Sequence, residues 1–482
     1  MKNAKIIILF LTLLSTVFII LSGCRQNGGE DKKAADDTAD GDVVQTEEAE
    51  SSAFESVPVI DYGGREFNFF MCDVFFTHRD IIAEEITGEL INDAKYNRFR
   101  TIEDRYNIKI NLVYLGDNGQ TYDYLNKSIL TDDVRYDLTH VHASSFVQVV
   151  SGGVLMDLKN LTYPDFGNPW WNKNFMDSMT VKNVLLLCPS AIELPYSSAV
   201  CFNKQMVQDN ALESPYELVK SGDWTMDKFY EICSGLSRDI DGDGRFTIND
   251  QYGFTTQNSW MLKSYLYAGN HTILIKDEND IPQLNKDYAH LSTIVEKMMR
   301  LFKENNTSYL FDSTNESGFP LSMDSGRVFA IGLHLAELQY LRNSDVDYGI
   351  VPLPKLDKAQ QNYPGISWGG FFGIPVNVSD SEMSGLIFEA LSAESHYSIL
   401  PLFKEQQLSI KFTRDEESIN MLDLIYDNII YDMAPNYATL NAYTNILYEL
   451  KNTDVMSYME KNEPSLQSAL DKIVDAYDAY IN

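Results

Sequence analysis

The sequence LINDAKYNRFRTIEDRYNIKINLVYL, at Leu90–Leu115, contains both repeating units of the fold. Its first part, Leu90–Tyr106, has the apolar spacing of an amphipathic helix, and its second part, Ile108–Leu115, alternates with the period of a strand. Strands are also predicted at Arg65–Asp73 and Tyr136–His142, and a further helix begins at Phe146–Val150. This βαβαβ order predicts an α/β fold with a mostly parallel sheet.

A second set of α/β elements follows, which suits a chain of 482 residues that is too long for one compact core. Strands are predicted at Val184–Pro189, Ala199–Asn203, Val328–Ile331, Tyr348–Pro352 and Phe371–Pro375. Helices are predicted at Thr225–Leu236, Trp260–Ala268, Leu291–Asn305, Glu382–Ser392, Ser418–Asp427, Ala438–Glu449 and Pro464–Ile481.

The N-terminus has the pattern of a secretory signal. Lys2 and Lys5 precede an almost wholly apolar run, and Leu21–Cys24 (LSGC) matches the lipobox of bacterial lipoproteins. In such proteins the cysteine is diacylated after cleavage, so residues 1–23 are predicted to be a lipoprotein signal peptide and Cys24 the lipid-modified residue. Two acyl chains suffice for stable anchoring. An uncleaved signal anchor is the alternative, because the apolar run is only slightly shorter than a spanning helix.

Residues 24–56 are rich in Asp, Glu, Ala, Gly and Ser. Such a segment cannot bury enough apolar surface to offset its chain entropy, and we predict an acidic flexible tether. No second apolar run of spanning length follows, so the remainder is expected to be soluble.

The formal net charge of −32 argues against nucleic-acid binding, which needs a basic face, and favours a monomer. Besides Cys24 the chain has Cys72, Cys188, Cys201 and Cys233, without CxxC spacing. Buried free thiols are expected, with a Cys188–Cys201 disulfide as the alternative.

A twelve-residue calcium-loop pattern occupies Asp239–Asp250 (DIDGDGRFTIND). Carboxylates stand at loop positions 1, 3, 5 and 12, and a glycine at position 6 lets the chain wrap around a hard cation. The predicted ligands are Asp239, Asp241, Asp243, the Arg245 carbonyl, Thr247 and Asp250. A single loop lacks the paired arrangement of a calcium sensor, so the predicted calcium ion is structural. A solvated acidic turn is the alternative.

Several stretches together resemble the extracellular solute-binding lipoproteins of ABC importers, carbohydrate-type family 1. Besides the lipobox they are RYDLTHVHASSFVQVVSGGVLMDL (Arg135–Leu158), PWWNKNFMDSMTVKNVLLLC (Pro169–Cys188), AVCFNK (Ala199–Lys204), GDWTMD (Gly222–Asp227) and YGIVPLP (Tyr348–Pro354). The resemblance runs nearly end to end and rests on their order and spacing. It implies a two-lobed, periplasmic-binding-protein-like (type II) α/β fold with hinge crossovers.

Mapped onto this chain, the resemblance implies lobe one at 57–162 and 322–358, and lobe two at 163–321 and 359–482. It implies that a carbohydrate is captured by lobe closure and delivered to an ABC permease in the membrane. Together with the lipobox it predicts a lipid-anchored protein on the extracellular face of a monoderm cell membrane. Some relatives serve a sensory receptor instead, so a solute sensor or interaction lipoprotein is an alternative.

The candidate ligand-binding residues combine stacking aromatics with polar groups at loop positions. They are His142, Ser144, Glu193, Tyr196, Trp260, His334, Trp368, Gly369 and Gly370. Core packing is the alternative for the two tryptophans, and an exposed turn acid is the alternative for Glu193. Trp170 and Trp171 are expected in packing or hinge roles. His140 shares a strand face with His142, but no third metal ligand is evident nearby.

No catalytic signature stands out. The sequence has no GxSxG elbow, no HExxH and no phosphate-binding glycine loop. A surface-anchored glycoside hydrolase would need two carboxylates at a fixed separation, and none of the 70 acidic residues is marked as such a pair. We therefore expect a binding protein and not an enzyme, with a carbohydrate-active enzyme as the alternative.

Overall fold

The computed structural model describes residues 55, 57–72, 81–133, 135–193, 197–258, 260–312, 318–341, 344–367, 369–409, 416–436, 440, 443, 446 and 454–481. For Asn118, Trp260, Gln339, Asn436 and residues 405–409 the description covers the backbone alone. The predicted signal peptide, Cys24, nearly all of the tether, Tyr196 and Trp368 lie outside the described residues. Within the described ranges, no helix combines the length and apolar character needed to cross a bilayer.

The described part of the chain contains thirteen strands, which we name in chain order. They are β1 (Arg65–Met71), β2 (Ile108–Tyr114), β3 (Leu138–Val141), β4 (Ser198–Asn203), β5 (Tyr252–Gln257), β6 (Leu274–Lys276), β7 (Pro282–Leu284), β8 (Ser308–Phe311), β9 (Val328–His334), β10 (Tyr348–Pro352), β11 (Gly365–Ile366), β12 (Phe371–Gly373) and β13 (Ile429–Ile430).

The helices are α1 (Leu90–Tyr106), α2 (Thr121–Leu130), α3 (Phe146–Ser151), α4 (Lys173–Met179), α5 (Lys204–Asp209), α6 (Pro215–Ser221), α7 (Met226–Leu236), α8 (Trp260–Ala268), α9 (Tyr288–Lys303), α10 (Ser381–Ser398), α11 (Leu400–Ser409), α12 (Glu416–Asp427) and α13 (Val455–Ala476). Short 3₁₀ helices lie at Asn118–Gln120, Ala143–Ser145, Leu158–Asn160, Met323–Ser325, Leu335–Leu341, Ala434–Asn436 and Tyr477–Tyr480.

The first sheet has the strand order β12-β3-β1-β2. Strands β2 and β3 both pair in parallel with β1, as the βαβαβ pattern predicts. Strand β12 comes from far along the chain and pairs antiparallel with β3, with Phe371 opposite Val141. The first residue of β12 therefore lies at the carboxyl end of β3.

The second sheet has the strand order β10-β4-β9-β5-β8. Strands β8 and β9 pair in parallel with β5, and β4 pairs antiparallel with both β9 and β10. His334 at the end of β9 is opposite Ser198 at the start of β4, so both lie at one edge of the sheet.

This pairing corrects the predicted division of the chain between the lobes. Residues 322–358 were assigned to lobe one, but their strands β9 and β10 belong to the second sheet with β4 and β5. Residues 359–482 were assigned to lobe two, but β12 belongs to the first sheet. The sequence marks each strand by its local period, whereas the partner of a strand depends on contacts distant in the chain.

Helix α1 shows how local signals fix an element. It begins where the Glu89 side chain accepts a hydrogen bond from the backbone N–H of Asn92 at 2.7 Å. It ends at Asn107, which adopts a left-handed conformation with φ of 48°. Its bounds, Leu90–Tyr106, are those predicted from the apolar spacing.

Two predicted elements differ from the structure. The segment predicted as strand Val184–Pro189 forms only isolated bridges, including one between Cys188 and Phe372. The helix predicted to begin at Pro464 begins at Val455, because Asp454 caps it by accepting from the Ser457 backbone N–H at 2.9 Å. Most of the predicted helix Ala438–Glu449 lies outside the described residues.

Large aromatic residues and the cysteines lie in the core. Trp224 is fully buried and donates from Nε1 to the Pro352 carbonyl at 2.8 Å. All four cysteines of the described part are buried free thiols, so Cys188 and Cys201 form no disulfide.

Within the described ranges, the chain passes between the two sheets along three segments. The first, residues 189–197, runs from the Cys188 bridge beside β12 to strand β4. The second, residues 353–370, runs from β10 to β12. The third joins α10, which packs on α1, to α12, which packs on β10. The structure therefore consists of two α/β lobes joined by crossing segments.

Candidate functional site

The first two crossing segments are tied together by one carboxylate. Glu193 accepts a hydrogen bond through Oε2 from the backbone N–H of Gly370 at 2.7 Å, and the same oxygen lies 3.1 Å from His140 Nε2. His140 and Glu193 are both buried. We call His140, Glu193 and Gly370 the Glu193 cluster. The Glu193 cluster joins strand β3, through His140, to the first crossing segment, through Glu193, and to the second crossing segment, through Gly370.

Glycine is required at position 370 for reasons of space. A Cβ atom there would lie 1.7 Å from His140 Nε2 and 2.8 Å from Glu193 Oε2. The His140 ring is held in place by its T-shaped contact with Phe372, at 5.3 Å between ring centroids. The backbone at Gly370 therefore lies directly against a buried histidine side chain.

A cavity of about 390 Å³ adjoins the Glu193 cluster at the junction of the crossing segments. We call it the junction cavity. Its walls come from the start of α4, the corner between α10 and α11, the end of α12 and the first two crossing segments. Its lining residues are Pro169, Trp170, Trp171, Asn172, Lys173, Asn174, Pro189, Ser190, Ala191, Glu193, Ser367, Gly369, Gly370, Phe371, His396, Leu400, Lys404, Tyr426, Asp427, Ile429 and Tyr431.

Three predicted ligand residues, Glu193, Gly369 and Gly370, line the junction cavity. Three others, His142, Ser144 and His334, do not. Sequence reasoning missed the aromatic and polar residues of the α12–β13 region, such as Tyr426 and Tyr431. Their only sequence signal is an aromatic residue beside an acidic one, and that combination recurs throughout this tyrosine-rich, acidic chain.

His142 and Ser144 cap the turn after β3. His142 Nδ1 accepts from the Ser144 backbone N–H at 3.2 Å and lies 2.9 Å from its hydroxyl. Burial lowers the pKa of His142, so the ring is neutral near pH 7. The Nδ1 atom is therefore used within its own turn.

His334 lies at the edge of the second sheet. Its Nδ1 is 3.4 Å from the Ser198 hydroxyl, and its backbone N–H donates to Glu337 Oε2 at 2.9 Å. Burial lowers the pKa of His334 to about 4, so this imidazole is also neutral near pH 7. Trp260 begins α8 just after β5, and its side chain lies outside the description.

Trp170 and Trp171 are held by a buried acid. Their indole Nε1–H groups donate to Glu389 Oε1 and Oε2 at 3.0 and 2.9 Å. The Asn168 side chain and the Asp165 backbone N–H donate to the same carboxylate at 2.8 and 3.2 Å. Burial raises the pKa of Glu389 to about 7, partly offset by these donors. Both indoles are almost fully buried, which agrees with the predicted packing role.

The carboxylate oxygens of Asp239, Asp241 and Asp243 lie within 4.8 Å of one another. Asp239 accepts from the backbone N–H groups of Gly242 and Gly244 at 2.7 and 2.8 Å. This is the only such group of three potential ligands within the described ranges. The donor set of hard oxygens fits calcium.

Asp250, predicted as the twelfth loop ligand, is outside this group. Its two oxygens accept from the backbone N–H groups of Ile240 and Thr247 at 3.0 and 2.7 Å. Asp250 therefore fastens the two ends of the loop together by hydrogen bonds.

Two α/β lobes, crossing segments and a cavity at the crossings define a periplasmic-binding-protein-like fold, the fold of extracellular solute-binding proteins. No protein-family model matches the sequence, and no curated protein matches it. Solved structures do match. UspC of M. tuberculosis is 12% identical, with 84% of this chain and 100% of that chain covered at a TM-score of 0.58.

Two further structures have bound ligands. UgpB of M. tuberculosis, solved with glycerophosphocholine, is 14% identical and covers 85% of this chain and 99% of its own at a TM-score of 0.53. An ABC transporter solute-binding protein of Thermotoga lettingae, bound with α-D-tagatose, is 13% identical and covers 86% and 100% at 0.52. These likenesses confirm the predicted two-lobed fold.

Proposed function

We propose that this protein is the substrate-binding component of an ABC importer and that it captures an extracellular carbohydrate. The junction cavity carries the proposal, because it lies where the segments that join the two lobes converge. Rotation of one lobe against the other would bend these segments and change the shape of the cavity. The tagatose bound by the Thermotoga protein supports a carbohydrate as the ligand.

We also propose that the protein is lipid-anchored through Cys24 on the outer face of the cell membrane and delivers its solute to a permease. The LSGC lipobox and the acidic tether support this proposal. A binder that must meet a membrane partner gains from being held close to it, because tethering raises the effective concentration.

The first test is a thermal-unfolding screen of the full mature chain with neutral mono- and oligosaccharides. A sugar at 100 times its dissociation constant should stabilise the protein by about 2.7 kcal/mol. Tryptophan fluorescence should change with the same midpoint, because Trp170 and Trp171 line the cavity. Mass spectrometry of the sugar is the control, and a binding protein leaves it chemically unaltered. Stabilisation by peptides alone would contradict the proposal.

We further propose a structural calcium ion held by Asp239, Asp241 and Asp243, with the Arg245 carbonyl and Thr247 nearby and Asp250 closing the loop. The convergence of three carboxylates supports this proposal, because the carboxylates repel one another unless a cation lies between them.

Titration calorimetry with calcium tests this site. The wild-type chain should bind with measurable heat, whereas a variant with Asp239→Ala and Asp243→Ala should not. A variant with Glu278→Ala and Glu296→Ala, two exposed acids elsewhere, is the matched control and should behave as wild type. Equal heats from the wild type and the loop variant would end the calcium proposal.

A further inference from the structure

The positive side chains around the junction cavity are paired with acidic residues, and further acidic side chains line it. Two lysines line it, and each has an acidic partner. Lys173 Nζ lies 2.5 Å from Asp177, and Lys404 Nζ lies 2.9 Å from Asp423. Asp427 adds an exposed negative charge to the lining. Among the described lining residues, no lysine or arginine is left to receive an anionic ligand, which such side chains normally bind.

The remaining lining is neutral and offers both apolar and polar surface. Phe371 and Tyr431 both pack against Phe175, whose ring centroid lies 5.6 and 4.9 Å from theirs. The amides and hydroxyls of the lining are those of Asn172, Asn174, Ser190 and Ser367. A ligand with an apolar ring face and several hydroxyls matches this combination.

The size of the junction cavity limits the ligand further. Its volume of about 390 Å³ is near the lower end of the range of roughly 300–1,000 Å³ seen for small-molecule sites. Such a space suits one or two sugar rings and not a long oligosaccharide.

Glu193 is positioned to select such a ligand. Both contacts of its carboxylate use Oε2, and Oε1 has no partner among the described residues. The carboxylate lines the cavity and is fixed by the His140 ring and the Gly370 backbone. A carboxylate oxygen held in this way accepts a hydrogen bond from a sugar hydroxyl and disfavours a phosphate or a second carboxylate beside it.

We propose that the junction cavity binds a neutral monosaccharide or one end of a neutral disaccharide, that Glu193 is the oxygen acceptor that positions it, and that sugar phosphates and uronates are excluded. This inference rests on the proposed carbohydrate-binding function and names its ligand class.

The test compares matched ligands on the full mature chain by calorimetry. D-glucose, D-galactose and D-mannose are each paired with their 6-phosphate and uronate, and maltose and cellobiose are paired with the corresponding tetrasaccharides. At least one neutral mono- or disaccharide should bind, with its anionic or longer counterpart about tenfold or more weaker. Tighter binding of an anionic sugar or a tetrasaccharide would overturn the inference but leave the carbohydrate function standing. Binding of peptides without any sugar would remove the proposed function itself.

A variant tests the role of Glu193. Glu193→Gln keeps the size and an acceptor for Gly370 but removes the charge, so affinity for the neutral sugar should fall by about tenfold. The ratio of the affinities for the neutral sugar and the uronate should decrease as well. A purely structural role of Glu193 would not change this ratio. Glu66→Gln, an exposed acid of β1, removes the same charge away from the cavity and should match wild type. Unchanged affinity and discrimination in Glu193→Gln would exclude Glu193 as the selecting residue.

Discussion

Replacing Glu389 by alanine should lower the free energy of unfolding by about 3–5 kcal/mol, because two buried and two partly buried donors lose their common acceptor. These donors are the indoles of Trp170 and Trp171, the Asn168 amide and the Asp165 backbone N–H. Each donor left unpaired in the core costs about 1–3 kcal/mol, and the missing side chain adds a cavity. Urea unfolding followed by tryptophan fluorescence measures the loss.

Glu382 lies on the same helix and is exposed, so Glu382→Ala is the control and should change stability by less than about 1 kcal/mol. Equal stability of the two variants would show that Glu389 does not hold the tryptophan segment. The segment lines the junction cavity, so Glu389→Ala should also weaken sugar binding.

The pH dependence of the wild type gives a second measurement on Glu389. Burial raises its pKa to about 7, above the usual value of 4.5, so the folded state holds the proton more tightly than the unfolded state. Its contribution to stability is therefore complete below pH 4.5 and is lost as the pH rises through 7, by about 1.4 kcal/mol per pH unit. The stability difference between wild type and Glu389→Ala should shrink across that window.

Gly370→Ala should cost about 1–3 kcal/mol and abolish high-affinity sugar binding. The new methyl group would lie 1.7 Å from His140 Nε2, and the buried ring is packed against Phe372. Either the ring or the crossing segment must shift, and both movements break the hydrogen bonds of Glu193. Thermal unfolding and calorimetry with the sugar found in the screen measure the two effects.

A second substitution isolates the clash. In the double variant with Gly370→Ala and His140→Ala the obstructing ring is gone, so the two changes should couple favourably in a double-mutant cycle. Gly235→Ala in helix α7 is the matched control, because its Cβ meets no atom within 4 Å and alanine favours the helix. If the losses in unfolding free energy from the two single substitutions simply add in the double variant, the close contact between positions 370 and 140 is refuted.

Comparison of particular elements shows where sequence reasoning succeeds. Helices α1 and α8 and strand β10 have the predicted bounds, because apolar period, caps and turns are local properties. Pro464 shows the limit of a local rule. Proline often begins a helix, but the Asp454 cap and the buried residues Tyr458 and Met459 extend this one by several residues before it.

The candidate site could be predicted only in part. Glu193, Gly369 and Gly370 were predicted as ligand-binding residues from loop position and resemblance, and all three line the junction cavity. His142 and His334 also lie at strand ends, but one caps its own turn and the other lies at the edge of the second sheet. Whether a polar side chain at a strand end faces a ligand or a neighbouring backbone group depends on packing that the sequence does not encode locally.

The sequence by itself determined most of the α/β elements and the acidic loop at Asp239–Asp250, since these follow from spacing and order along the chain, and the two-lobed fold was predicted from the resemblance to solute-binding lipoproteins. Only the tertiary structure decided which strands share a sheet and which residues enclose the junction cavity. Glu193 and Gly370 are 177 residues apart and meet through a single hydrogen bond. Such a contact depends on the cooperative packing of both lobes, whereas period and capping depend on residues a few positions away.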